Sequence, residues 1–244
     1  MVKISCGEAV FTEIEAVLFD KDGTLEDSHQ FLRELAQRRS RLIDAQIPGV
    51  GEPLLMAFGV GDRATFDPTG LMAVGSRTEN IIAAAAYIAE TGRSWVESLE
   101  IARNAFTEAD RTLHRTPENS PMVAGTLAIL QRFSAMELKL GILSAATPEG
   151  VAEFVEHHQL QPYFQLKMGV TSQGPFKPSP YLFYKACGAL GVNPGKTLMI
   201  GDSALDMQMA HQAEAAGAIA FCPQGGSLDG ADVAIADFEE LKVI

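Results

Sequence analysis

The chain is short of positive charge: 19 Lys+Arg stand against 31 Asp+Glu, a formal net charge of −12. Nucleic acid is not expected as a partner on that ground, because duplex binding requires clustered Lys and Arg to replace counterions. An anionic membrane surface is excluded for the same reason. Long hydrophobic runs are also missing. The best one, residues 81–89, is mostly alanine and far short of the roughly 20 residues a bilayer span needs. Glu8, Glu13 and Glu15 occupy the N-terminal region where a secretory signal would carry basic residues and then an apolar stretch. Cysteine is scarce. Cys6, Cys187 and Cys222 are odd in number and have no metal-ligand spacing, so they read as buried or idle thiols in a reducing compartment. The expectation is a soluble, cytoplasmic protein.

What is present is an ordinary globular composition over 244 residues, 47% apolar and 20% charged, enough for one to two domains with a real core. Short apolar runs at 16–19, 139–143, 197–200, 218–221 and 233–236 end in Asp, Ser or Gly. Helix signatures follow several of them. Thr147-Pro148 and Ser179-Pro180 pair an N-cap with proline at the first helical position, and Gly191 reads as a C-cap. Ser203 reads as the cap of a further helix closed by Gly217. Strands alternating with helices predict a parallel sheet with helices on both faces, an α/β Rossmann-like core. Residues 28–118 differ. Helical spacings such as Phe31, Leu32, Leu35, Leu42, Ile43 and Trp95, Leu99, Ala102, Phe106 predict an all-helical insertion without strong strands. This segment has ten arginines, no lysine and twelve acids. The predicted organisation is therefore an α/β core from 1–27 and 119–244, interrupted by a helical cap at 28–118.

The most specific string is Asp20-Lys21-Asp22-Gly23-Thr24-Leu25, directly after the apolar run 16–19. Parallel sheets place their ligands at the C-terminal ends of strands. Residues two apart on a strand face the same side, so Asp20 and Asp22 can address one substrate. Three further segments follow in order: Gly141-Ile142-Leu143-Ser144, Gly174-Pro175-Phe176-Lys177-Pro178, and Gly201-Asp202-Ser203-Ala204-Leu205-Asp206.

Together these segments resemble motifs I to IV of the haloacid dehalogenase superfamily in its phosphatase form, with a C1 helical cap, similar to the phosphoglycolate phosphatase-like members. The resemblance implies an aspartyl-phosphate mechanism. Asp20 would be the nucleophile and Asp22 the general acid and base. Thr24 and Ser144 would bind the phosphoryl oxygens, and Lys177 would neutralise the phosphoryl group. Mg²⁺ would be held by Asp20, the backbone carbonyl of Asp22, Asp202 and Asp206. Oxygen donors completed by water suit Mg²⁺ rather than Zn²⁺. Position 21 is usually apolar in these phosphatases, and Lys21 is similar instead to the related D-K-T-G-T string of P-type ATPases. Those carry Thr where this chain has Asp22, and the second acid favours hydrolysis over a long-lived phosphoenzyme.

In this family the cap reads the leaving group, so an arginine there is the candidate for specificity. Arg77 follows a glycine turn and is chosen; Arg38, Arg39 and Arg41 read as a solvated helix face. His157 and His158 read as solvent-facing, and Trp95 as cap core. The expected activity is Mg²⁺-dependent hydrolysis of a small soluble phosphomonoester by a monomer or homodimer. A β-phosphoglucomutase-like phosphotransferase and a non-catalytic phosphate-binding protein of the same fold are the alternatives.

Overall fold

A computed structural model describes residues 2–61, 65–67, 69–116, 118–171 and 174–244. The chain divides into two compact units, Met1–Asp27 with Met122–Ile244, and Ser28–Pro121.

The first unit is built on a six-stranded sheet in which every pairing is parallel. Its strands are β3 (Ala16–Phe19), β4 (Lys139–Leu143), β5 (Leu166–Met168), β6 (Thr197–Gly201), β7 (Gly217–Phe221) and β8 (Val233–Ile235), in the spatial order β5-β4-β3-β6-β7-β8. The chain steps outward from β3 to β4 and β5, then returns to place β6 on the other side of β3. That reversal makes the C-terminal end of β3 the switch point where such sheets open a crevice for ligands.

Every residue of β3 is buried, as expected of a central parallel strand covered on both faces. Alternation sorts the side chains. Val17 and Phe19 pack with Ile129, Leu130 and Phe133 of α6 (Thr126–Ala135) and with Val151, Phe154 and Val155 of α7 (Pro148–His157). Ala16 and Leu18 pack with Leu182, Phe183 and Ala186 of α8 (Pro180–Leu190) and with Met207, Met209 and Ala210 of α9 (Ala204–Gln212). Phe19 is fully buried, its ring 6.2–6.4 Å from those of Phe133, Phe164 and Phe238. It anchors the strand end from which Asp20 projects.

The predicted caps at Thr147, Ser179 and Ser203 stand at those helix starts. Ser203 forms a reciprocal capping box with Asp206, whereas the Ser179 side chain makes no capping bond. Gly217 departs from its expected role. The helix ends at Gln212, and Gly217 instead opens β7, where a Cβ would meet the Phe11 ring at 2.2 Å. Phe11 comes from an element that hydropathy patterning did not announce. A hairpin of β1 (Val2–Cys6) and β2 (Ala9–Ile14) pairs antiparallel, and β1 also pairs with β9 (Lys242–Val243). Ile4, Cys6, Phe11 and Ile14 join the core, but exposed and half-exposed residues interrupt both strands without regular alternation, too little to read from periodicity alone.

The second unit contains α1 (His29–Asp44), α2 (Gly51–Ala57), α3 (Leu71–Val74), α4 (Arg77–Glu90) and α5 (Trp95–Thr112), with an isolated bridge between Val60 and Phe66. Its core joins Phe31, Leu32, Leu35, Ile43, Phe58, Ile81, Ile88, Ala102 and Phe106. Two expectations fail here. Trp95 is 47% exposed, because it is the first residue of α5 and burial along that helix begins only at Ser98. Arg39 is buried at 4% exposure, not solvated. It lies three and four residues from Ala36, Leu35 and Ile43, in phase with the apolar stripe of α1. The structure also corrects the reading of His158, which is half-buried against Phe154, while His157 is exposed. Among the described residues no helix is long and apolar enough to cross a membrane, and all three cysteines are free thiols.

Candidate active site

Three carboxylates and one ammonium meet at the C-terminal edge of the sheet. Asp20 follows β3, and its backbone N–H donates to the Ile200 carbonyl at 2.8 Å, holding the start of the loop to β6. Lys177, between β5 and α8, sends its Nζ to 2.7 Å from Asp20 Oδ1 and 2.6 Å from Asp206 Oδ1. The first contact is a hydrogen bond; Asp206 Oδ1 receives no aligned hydrogen bond, so the second is an ion pair only. Asp206 Oδ2 is taken by the Ser203 hydroxyl and backbone N–H at the start of α9.

The electrostatics of this cluster are dominated by desolvation. Burial raises the Asp20 carboxyl to about 6, against the opposing pull of Lys177 and with help from Asp206 and Asp22. Asp202 is raised well above the usual carboxylate range by burial, then by Asp20 and Asp206. Burial alone would drive the proton off Lys177, yet the two carboxylates outweigh it and hold the ammonium more firmly than in water.

The loop after Asp20 is wound tightly, with the Lys21 carbonyl accepting from the N–H groups of Thr24, Leu25 and Glu26. Gly23 has φ +78°, and a Cβ there would lie 1.9 Å from Asp202 Oδ2. A glycine is what allows this loop to approach the β6–α9 connection so closely. Thr24 is fully buried and its hydroxyl donates to Asp202 Oδ1 at 3.4 Å, so it is placed against a carboxylate. Ser144 is buried after β4; its N–H donates to the Met168 carbonyl and its Oγ accepts from the Ala146 N–H at 3.1 Å.

The donor set fits a hard divalent cation. Carboxylate oxygens of Asp20, Asp202 and Asp206 lie within 4.8 Å of one another. Three acids, Asp20 and Asp206 buried and Asp202 half-buried, beside one lysine form a site whose charge a cation would offset. Asp22 is not in that group. Its Oδ1 is 2.7 Å from Lys21 Nζ, whose other partner is Glu26 Oε2 at 2.6 Å. The Lys21–Glu26 pair was not foreseen: residues five apart in a loop carry no periodic signal.

Arg77 belongs to the second unit. Its Nε and Nη2 lie 2.9 and 2.8 Å from Asp110 Oδ2, and Arg39 Nη2 lies 2.9 Å from Asp110 Oδ1. The Arg39 guanidinium also stacks 4.1 Å from the Phe106 centroid. The phase of Arg39 on α1 was the available clue to its burial.

Residues 14–214 match the family model of haloacid dehalogenase-like hydrolases. The chain belongs to that family. Within it the chain is of the phosphatase type, a hydrolase of phosphoric monoester bonds. It is 26% identical over 231 residues to a phosphoglycolate phosphatase of Chromobacterium violaceum, covering 93% of this chain and 95% of that protein. Among solved structures, a putative haloacid dehalogenase-like hydrolase from Bacteroides fragilis superposes with TM-score 0.67 at 19% identity, over 92% of this chain and 98% of the other. A β-phosphoglucomutase from Clostridium difficile does so with TM-score 0.62 at 19% identity, over 93% and 94%. These two likenesses show the fold.

Proposed function

We propose that this hydrolase is a Mg²⁺-dependent phosphatase of a small soluble phosphomonoester, phosphoglycolate-like or a sugar phosphate, working through an aspartyl-phosphate. The observation that carries the reading is the Lys177 ammonium between Asp20 and Asp206, beside Asp202, at the end of the central strand. Phosphoryl transfer relies on positioning and charge neutralisation, and this cluster supplies both.

Asp20 attacks phosphorus as the ester C–O–P bond breaks on the phosphorus side, and the leaving oxygen takes a proton from the Asp22 carboxyl. Asp22, now a carboxylate, accepts a proton from water. The hydroxide attacks phosphorus, the bond to Asp20 breaks, and inorganic phosphate leaves with both acids restored. Lys177 holds Asp20 in place and meets the phosphoryl charge. Ser144, with its hydroxyl at the end of β4, is the candidate donor to a phosphoryl oxygen. Thr24 fixes Asp202 and, through its loop, the phosphoryl pocket. Asp20, Asp202, Asp206 and the Asp22 carbonyl would hold Mg²⁺, which supplies positive charge to the phosphoryl oxygens when bound.

Arg77 remains the candidate for the anionic remainder of the ester, because one Asp110 carboxylate serves two guanidiniums and leaves a net positive charge. Free thiols and a net charge of −12 go with a cytoplasmic setting and a small-molecule partner.

The test is turnover of p-nitrophenyl phosphate with Mg²⁺, read as released inorganic phosphate. Asp20→Asn is expected to abolish it, and undiminished activity would sink the nucleophile assignment. Interconversion of sugar phosphates without net phosphate release would point to the mutase reading instead.

A further inference from the structure

Lys21 continues the Val17 and Phe19 face of β3 by alternation. Its side chain is fully buried, with Nζ 5.7 Å from the centroid of the Phe154 ring. Asp22 would face the opposite side on a continuing strand. The tight loop beyond Lys21 instead brings its carboxylate back to Lys21 Nζ at 2.7 Å. Glu26 closes the arrangement from the other end of the loop, 2% exposed, with Oε2 at 2.6 Å from the same nitrogen. An apolar side chain would fill the space over Phe154 without the desolvation cost of a buried ammonium. What the ammonium adds is a fixed positive charge beside Asp22, held by its hydrogen bond to Glu26. A lysine in water loses rotamer freedom when it holds a partner, but this one is already confined by the ring and by Glu26.

We propose that Lys21 is a positioning residue for Asp22. Anchored by Glu26, it holds the Asp22 carboxyl in place on its loop and thereby sets how well Asp22 hands its proton to the departing oxygen. The proposal rests on the phosphatase reading above. Glu26 acts one step further back, as the group that keeps Lys21 from swinging away.

The discriminating property is the leaving group. An aryl phosphate releases a stable phenolate and needs little protonation; an alkyl phosphate needs the acid. The double variant Lys21→Met/Glu26→Gln removes the ammonium and its buried counter-ion together, so the only carboxylate left without its cation is Asp22, which has 16% side-chain exposure, and thermal melting checks that it folds. Turnover is measured with Mg²⁺ on p-nitrophenyl phosphate and on glycerol 2-phosphate, glucose 6-phosphate and 2-phosphoglycolate, the fastest of the three being taken forward. The expected result is a fall in kcat/KM, which reports only the steps up to release of the alcohol and not the later hydrolysis common to all esters, of about 10-fold or more on the alkyl ester, part of the 10²–10⁴-fold that a general acid contributes. On p-nitrophenyl phosphate the fall in kcat/KM should stay below about 3-fold.

In an Asp22→Asn background the selective loss should vanish, since Lys21 then has no acid to position. If the double variant does not fold, Glu26→Gln alone keeps the ammonium and its packing, and a smaller loss with the same selectivity is expected. Equal losses on both kinds of ester, or none on either, would overturn the proposal while leaving the phosphatase reading intact. Wild-type turnover of p-nitrophenyl phosphate but of no alkyl ester would overturn it too, because leaving-group protonation would not be the work of Asp22. No wild-type turnover of any ester would overturn the phosphatase reading itself.

Discussion

Gly23→Ala puts the packing of the site under direct strain. At φ +78° an alanine sits in the left-handed region, at a cost of about 1–2 kcal/mol. The larger consequence is local. Its Cβ would lie 1.9 Å from Asp202 Oδ2, so that carboxylate must retreat by about 1.5 Å to reach an ordinary contact. Asp202 cannot do this and keep both the Thr24 hydrogen bond and its place beside Asp20 and Asp206. For a chain of this size each kcal/mol shifts Tm by about 2–4 °C, so a fall of roughly 2–8 °C is expected. Displacing a metal-site carboxylate should also weaken the apparent Mg²⁺ affinity by about 100-fold, the upper end of what supporting residues contribute. The assay is p-nitrophenyl phosphate turnover against Mg²⁺ concentration, with melting curves beside it. Gly7→Ala is the control: φ is +54° there and nothing lies within 4 Å of the added carbon. It carries the backbone cost without the collision. If Gly23→Ala responded to Mg²⁺ as Gly7→Ala does, the argument that Gly23 shapes the cation site would be wrong.

Lys177→Met leaves Asp20 and Asp206 buried without their cation, and a loss of about 3–5 kcal/mol in metal-free protein is expected, read as a lowered melting temperature. A change under 2 °C would mean that the carboxylates shed their charge at little cost. The Asp20 carboxyl is raised from 3.8 to about 6 by burial, so the folded state binds this proton more tightly than the unfolded chain. Its contribution is therefore present in full below pH 3.8 and is lost as pH rises through 6. In metal-free protein the Tm of Asp20→Asn relative to wild type should accordingly climb between pH 4 and 6 and then level off. A flat or falling difference would contradict the direction of the shift. Arg39→Met removes a half-buried hydrogen bond to Asp110 and a stacked cation over Phe106. About 2–3 kcal/mol of stability should go with them, measurable in urea.

Much of the site was legible because phosphoryl chemistry demands particular residue types at strand ends. Asp20, Ser144 and Asp202 follow β3, β4 and β6, and those strands announce themselves as short apolar runs with Asp or Ser behind them. Local signals of one or two residues also carried through, as at Thr147-Pro148 and at Leu190, where Gly191 ends the helix in a left-handed turn. The misreadings share a cause. Gly217, Trp95 and Arg39 each have a local meaning in sequence that a distant neighbour replaced: the Phe11 ring, the beginning of burial on α5 only at Ser98, and the Asp110 carboxylate. The hairpin of β1 and β2 escaped because its strands are half exposed and broken by polar residues, unlike the wholly apolar central strands.

The sequence by itself determined the alternation of strands and helices, the helical insertion and the acids available for chemistry, since these follow from periodicity and residue type along the chain. Only the tertiary structure decided which charges meet. Lys177 bridges Asp20 and Asp206 across long stretches of chain, while Lys21 takes Asp22 and Glu26. Charge pairing depends on distances of a few ångströms and on how much water is excluded around each group, and neither is written in the order of residues.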